Sequence, residues 1–374
     1  MGSSGTVRNP VAWKENVPCF RVRLCRSRVG QILCVKGRLI FNRPAYVRSL
    51  AGGALLLSIV LALCCGRYPL SPHRVVMVIG RLLHLWGGHD PVADAVVQQV
   101  RLPRVVAGIL VGSALSCGGA TYQAVLRNPL VSPDLLGVLS GSAFGAALMI
   151  VLGASPAWIQ IGAFAGGVVA VGSGISISRL LPQGGLLTLL MGGLVANAVF
   201  TALLSLVKYT ADPMDQLPAV VNWLLGTLSQ TGWKELSWLT VPVLVLVSVL
   251  VLLAPLLDVL SLGDDEARSL GVPIQIMRPF VILLATLACA MTISMAGIIG
   301  WVGLLVPHIS RMLAGAEHRR MMPVCALLGA AGVLLADTVS RSLTSGEVPL
   351  GIMTELFGAL AFILVLRRLR GDAT

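Results

Sequence analysis

Charged residues are scarce in this sequence, and aromatic ones scarcer still. Asp, Glu, Lys and Arg make up 12% of the 374 residues, and Phe, Trp and Tyr 5%. A soluble domain carries about 25% charge, so a water-soluble globule of this length is excluded. Motifs that would do chemistry are missing too. There is no GxxxxGK[ST] phosphate loop, no HExxH and no GxSxG. The chain therefore reads as no enzyme, and any uphill work it joins must draw on an ion gradient or on another polypeptide. The eight cysteines are scattered, with no CxxC pair and no zinc spacing, so no metal centre is expected.

Hydrophobic residues, by contrast, make up 56% of the chain. They fall into ten apolar stretches, near 47–65, 105–125, 136–152, 158–178, 186–207, 236–257, 279–296, 298–313, 324–340 and 351–366. A crossing helix needs about 20 apolar residues, so several of these are short and predict tilted or interrupted helices. The fold class is an all-α polytopic membrane protein of about ten transmembrane helices. Its domains are a basic segment 1–46 and a transmembrane domain 47–370. In the second stretch, Arg101 and Arg104 fence one side and Arg127-Asn128-Pro129 the other. Its interior is Gly, Ala and Ser, which lets helices approach closely in lipid. Gly112, Gly118, Gly119, Gly297, Gly300, Gly303 and Gly358 are expected to serve such packing.

The formal charge of +12 suggests nucleic acid until its placement is considered. With the N-terminus in the cytoplasm and ten alternating spans, ten basic residues from Arg8 to Arg48 and ten from Arg127 to Arg370 fall inside, of 28 in all. That is the positive-inside pattern, although without the first ten the split is a modest ten to eight. Membrane lipid, not nucleic acid, is the implied partner, and both termini are placed in the cytoplasm. The first 46 residues hold one acid, Glu15, and no apolar core like that of a cleavable signal. They read as a loose cytoplasmic tail or a start set too far upstream.

The segment Asp258–Pro279, DVLSLGDDEARSLGVPIQIMRP, is a long polar interruption on the cytoplasmic side of this topology. Its centre reads as a short helix. Ser261 is a plausible cap, and Asp264, Asp265 and Glu266 fill the first turn, where the helix dipole favours anions. Gly271 ends it and Pro273 prevents its resumption. Ala267 and Leu270, three apart, are expected on one face. A capped, self-terminating helix in a loop suggests a docking element more than an ordinary solvated connection.

Six ordered motifs carry a resemblance: RLPR at 101–104; GGATYQAVLRNPLVSPDLLG at 118–137; SLGDDEARSLGV at 261–272; GIIGWVGLLVPHISRML at 297–313, followed by EHRR; LLADTVSR at 334–341; and EVPLGIMTELFG at 347–358. In this order they resemble the FecCD family, the ten-span (type II) permeases of ABC importers for iron(III)-siderophores, haem and cobalamin. The resemblance covers about residues 50–370.

It implies a bacterial inner-membrane permease working as a homodimer. Two cytoplasmic ATP-binding subunits carry ATP and Mg, with no cofactor on this chain, and one periplasmic or lipid-anchored binding protein delivers cargo. It further implies that Leu262, Gly263, Asp264, Asp265, Glu266, Ala267, Arg268, Leu270 and Gly271 couple to the ATPase. Arg101, Arg104 and Arg341 match arginines that accept glutamates of the binding protein; on the residues alone, anchoring to lipid headgroups is the alternative. The segment Tyr209, Thr210, Ala211, Asp212, Pro213, Met214, Asp215 resembles the external gate region, ahead of a short apolar helix near Val220–Leu228.

Two acids lie deep in spans, where charge is costly. Asp337 and Arg341, four apart, are expected to pair along one helix face. Glu355 departs from the family, which has an apolar or small residue there; it either lines the pathway or bonds a neighbouring helix. The expected cargo is an iron(III)-siderophore or haem, with cobalamin, or a metal or oxoanion, as alternatives. A gradient-driven secondary transporter is the rival from another class; it would need ion ligands such as Asp337 and Glu355 and no helix at 264–270.

Overall fold

A computed structural model of the chain describes residues 43–85, 90–180, 185–344 and 346–371. Residues 1–42, most of the expected tail, lie outside these. Among the described residues every apolar stretch becomes a helix. The order begins α1 (Arg43–Cys64), α2 (Pro72–Leu82) and α3 (Pro91–Ala95), and a π-helical turn over Val96–Arg101 leads into α4 (Leu102–Val125). Then come α5 (Val138–Val151), α6 (Pro156–Leu180), α7 (Leu186–Thr210), α8 (Gln216–Leu224) and α9 (Trp233–Leu252). The polar interruption holds α10 (Ala254–Leu260) and α11 (Asp264–Ser269). The chain finishes with α12 (Ile274–Ala296), α13 (Val302–Ala314), α14 (His318–Leu343) and α15 (Leu350–Gly371).

Seven helical runs are long and apolar enough to cross a membrane, namely α1, α3–α4, α6, α7, α9, α12 and α14. Three shorter apolar helices, α5, α13 and α15, occupy the remaining stretches. The tenfold pattern of the sequence is therefore present, with the short runs as short helices. α1 begins a few residues earlier than the expected boundary at 47. α8 stops at Leu224 where the sequence suggested Leu228, because Gly226 adopts φ 70° and turns the chain.

Burial singles out α4. Its most apolar stretch is 89% buried inside the protein, against 28% for α1, α6, α7 and α9. The reason lies in its side chains. A Cβ at Gly112 would overlap the backbone of Gly329 on α14, and one at Gly119 would overlap the carbonyl of Gly303 on α13. In lipid no hydrophobic drive pushes apolar helices together, so close backbone contact supplies the packing. Polar pairs then fix register. The Tyr122 hydroxyl meets Thr286 Oγ1 at 2.7 Å between α4 and α12, and Ser116 Oγ donates to the Cys325 carbonyl at 2.9 Å on α14. The outer helices present Val169, Leu194 and Val245 at the surface, as a lipid-facing side requires.

α4 thus runs through the centre like a rod of about 36 Å. Its first turn marks one end of the bundle, the arginine end, and its last turn the loop end. Introducing one methyl at Gly119 (Gly119→Ala) is expected to cost at least the 1–3 kcal/mol typical of overpacking, because backbone rather than a mobile side chain blocks it. Gly52→Ala on α1 meets nothing within 4 Å and should leave the melting temperature in detergent unchanged. Equal melting for both variants would contradict this packing.

Candidate functional site

At the arginine end, three helices bring Arg101, Arg104 and Arg341 together. All three are buried, at 3%, 5% and 6% exposed. Burying three guanidiniums demands internal partners, and these are present. Arg104 Nε reaches Asp337 Oδ1 at 2.8 Å and Oδ2 at 3.1 Å, while its Nη2 lies 2.8 Å from Oδ1. Arg104 Nη1 donates to Glu347 Oε2 at 3.0 Å. Arg341 Nε lies 3.1 Å from Asp337 Oδ2, the helical pair expected from the sequence, and its Nη2 donates to the Ala62 carbonyl at 2.8 Å. Arg101 donates to the carbonyls of Leu63 and Tyr68.

Three cations thus face two carboxylates. The excess is absorbed by the last turn of α1, whose carbonyls have no intrahelical partner and carry the negative end of the helix dipole. Arg101 and Arg341 in effect cap α1. Glu347 differs from the rest: its side chain is 26% exposed, while that of Asp337 is 1% exposed. It sits on the short connection from α14 to α15. There the Val348 amide donates to the Ser340 carbonyl at 3.3 Å, and Ser340 Oγ donates to the Val348 carbonyl.

At the loop end Asp264 plays the part that Asp337 plays above. Arg278 binds it through two contacts, Nη2 to Oδ1 at 2.7 Å and Nη1 to Oδ2 at 3.3 Å, and Arg127 Nη2 also donates to Oδ1. Arg127 Nε adds a bond to the Leu260 carbonyl at 3.2 Å. These bonds, from Arg278 first, hold the Asp264 carboxyl below the usual carboxylate range. Its folded-state affinity for a proton is lowered, so the clamp contributes fully at neutral pH and is lost only as pH falls through that lowered value. Nearby, Asp258 Oδ1 accepts from the His318 amide at 2.8 Å and sits 2.7 Å from His318 Nδ1, which caps the first turn of α14.

The short helix α11 forms as the sequence predicted, with one correction. Its cap is Gly263, not Ser261: Glu266 reaches back to accept from the Gly263 amide at 3.0 Å, while Ser261 Oγ bonds the Asp258 carbonyl. Ala267 is fully buried, whereas Leu270, just past the last helical residue, is 61% exposed. Gly271, at φ 79°, ends the helix in a Schellman turn, its amide bonding the Arg268 carbonyl and that of Val272 the Ala267 carbonyl. Ala267 therefore roots the element, and Leu262, Asp265, Arg268 and Leu270 are what it shows.

The segment Tyr209–Asp215 comprises the last two residues of α7 and the tight turn from it into α8. Asp212 Oδ1 accepts from the amides of Met214 and Asp215, and Gln216 Nε2 ties the turn to the Val151 carbonyl at 3.1 Å. Tyr209 and Met214 project freely. Beyond α8, backbone from three elements converges. The Thr227 amide bonds the Ala296 carbonyl, and the Leu350 and Gly351 amides bond those of Gly226 and Leu225. A Cβ at Gly226 or Gly351 would overlap a carbonyl of a neighbouring segment. Glu355, exposed on α15, lines a cavity of about 250 Å³ with Asp134, Gly300 and Trp301; it bonds no neighbouring helix among the described residues.

Sequence reasoning missed Glu347, Arg127 and Arg278 as partners. The only signal was indirect: few acids serve many arginines, so each buried arginine has a short list of possible mates.

Comparison with known proteins follows this geometry. Residues 54–368 match the FecCD transport family. The chain belongs to that family. This permease is similar to the molybdate import system permease protein MolB of Haemophilus influenzae, 40% identical over 335 residues, covering 87% of this chain and 98% of that one. It is also similar to a probable iron chelatin transport system permease protein of Helicobacter pylori, 36% identical over 276 residues, covering 74% and 83%. Its fold matches an inward-facing structure of a putative metal-chelate type ABC transporter with TM-score 0.78 at 36% identity, covering 87% of the permease and 99% of that chain. The permease is thus a multi-pass ABC transporter membrane subunit.

Removing Asp337 tests the arginine end. Asp337→Ala strands Arg104 and Arg341 in a low-dielectric site, where breaking a buried pair costs about 3–5 kcal/mol. A thermal melt of the purified protein should show the loss; an unchanged midpoint would refute the clamp.

Proposed function

We propose that this chain is the membrane-spanning half of an ATP-driven importer for an iron(III)-siderophore or haem, working as a homodimer. Two separate ATP-binding subunits, carrying ATP and Mg, dock at the loop end in the cytoplasm, and one binding protein delivers cargo at the arginine end outside. The observation that carries this reading is α4 itself: one buried rod with a charge clamp at each end, so that a push on α11 is delivered to the opposite face without bending. Interiors packed this tightly move as bodies rather than deform. The gate in this reading is the turn 209–215 with α8, rooted at the glycine junction.

The cargo reading leans on charge. Asp134 and Glu355 put two carboxylates on the same cavity wall, and a bare oxyanion entering there meets like charge at close range, whereas a bulky chelate such as a ferric siderophore or haem spreads what charge it carries over a larger body. The molybdate reading, favoured by the likeness to the Haemophilus protein, is the second possibility. Uptake into proteoliposomes holding the permease, its ATPase and its binding protein distinguishes them. Labelled ferric siderophore or haem should accumulate only with ATP, and molybdate should not compete. Accumulation of molybdate would favour the second reading, and accumulation without the ATPase would refute both.

The docking surface of α11 follows from exposure. Leu270→Glu leaves the Ala267 root and the Asp264 clamp intact, so the permease should fold while its hold on the ATPase weakens by about tenfold or more. Copurification of the two subunits measures this; undiminished association would remove α11 from the interface.

A further inference from the structure

If the binding protein of the proposed function docks through carboxylates on these arginines, as the family resemblance implies, then something already bound there must leave. Asp337 cannot be the one. It is 1% exposed and serves both Arg104 and Arg341. The carbonyls of Ala62 and Leu63 belong to the end of α1 and cannot withdraw without unwinding it. Glu347 is different on every count. It holds a single arginine through one bond, its side chain is the most exposed of the cluster, and it rides on a connection rather than a helix.

We propose that Glu347 is a resident stand-in for the incoming carboxylate, and that an acidic side chain of the partner displaces it from Arg104. The exchange conserves charge: one carboxylate leaves the guanidinium as another arrives, so Arg104 keeps two carboxylate partners throughout, Asp337 being the fixed one. This avoids leaving Nη1 of a buried guanidinium without an acceptor. Glu347 in turn swings into water, where its carboxylate is solvated.

The exchange has a mechanical consequence. The segment that carries Glu347 is tied down at Val348 and continues directly into Leu350 and Gly351, whose amides bond the carbonyls of Gly226 and Leu225 at 2.9 and 3.0 Å. Those two residues end the turn after α8. Releasing Glu347 therefore loosens the start of α15 where it grips the C-terminal end of α8, the helix that the turn 209–215 leads into. Docking and gate movement would share one short piece of backbone.

The test measures binding-protein affinity for the permease–ATPase complex in nanodiscs, with three variants. Glu347→Gln removes the competing carboxylate. Glu347→Asp keeps the charge but shortens the side chain by one methylene, enough to lose the 3.0 Å bond to Arg104. Both should tighten binding by about tenfold, as loss of one charge-assisted hydrogen bond in the free state allows. Arg104→Gln should weaken it. Tightening by Gln alone would mean that net charge acts, not exchange, and would overturn the proposal. So would unchanged affinity in both Glu347 variants with Arg104→Gln still damaging, a result that leaves the docking reading standing. Unchanged affinity in Arg104→Gln would sink the docking reading itself. A measurement on the unaltered complex stands beside these. Hydrogen exchange at the Val348 amide should speed up when the binding protein docks, and equal exchange in the free and docked states would count against displacement.

Discussion

Asp337 and Asp264 each hold two arginines, at opposite ends of the same buried helix. The rest of the architecture is consistent with that arrangement. Arginine stays charged under all ordinary conditions, so a buried guanidinium cannot escape its cost by losing a proton. It must be met by a carboxylate or by carbonyls that are otherwise unsatisfied. At the arginine end both solutions are used together, with Asp337 and Glu347 beside the free last turn of α1. At the loop end Asp264 ties the turn that follows α4 to the N-terminal part of α12. The ends are held by directional bonds, and the middle by glycine-mediated contact.

That division matters for movement. The central contacts of α4 with α13 and α14 are backbone against backbone, so they permit sliding or rocking only as whole helices. Directional charge pairs, by contrast, can exchange partners. Change is therefore concentrated at the two ends and at the junction of Gly226, Gly297 and Gly351, where three segments meet through main-chain bonds. A permease proposed to work by rocking needs this distribution: a stiff interior, with exchangeable contacts at the faces where other subunits act.

The sequence made some elements plain and hid others. The helix at 264–269 was readable because its start, its stop and its acidic first turn are all local features, and the pair Asp337–Arg341 because both lie on one helix face. Its actual cap, Gly263, was less visible, since Glu266 supplies the bond from inside the helix and glycine advertises nothing. That Ala267 is buried and Leu270 exposed was not legible, because spacing along a helix of six residues does not say which side the rest of the chain covers. Nothing local to the RLPR motif signals that its arginines are buried, because their burial depends on α1, α14 and the connection carrying Glu347 arriving from elsewhere along the chain.

What the sequence alone determined is the set of helices and the membrane as their solvent. Both follow from local composition: runs too apolar for water, and backbone that lipid forces to bond within itself. Which carboxylate satisfies which arginine was decided only in the tertiary structure. Coulomb attraction and hydrogen bonding act over a few ångströms in space, whereas Arg104 and Glu347 stand 243 residues apart in the chain.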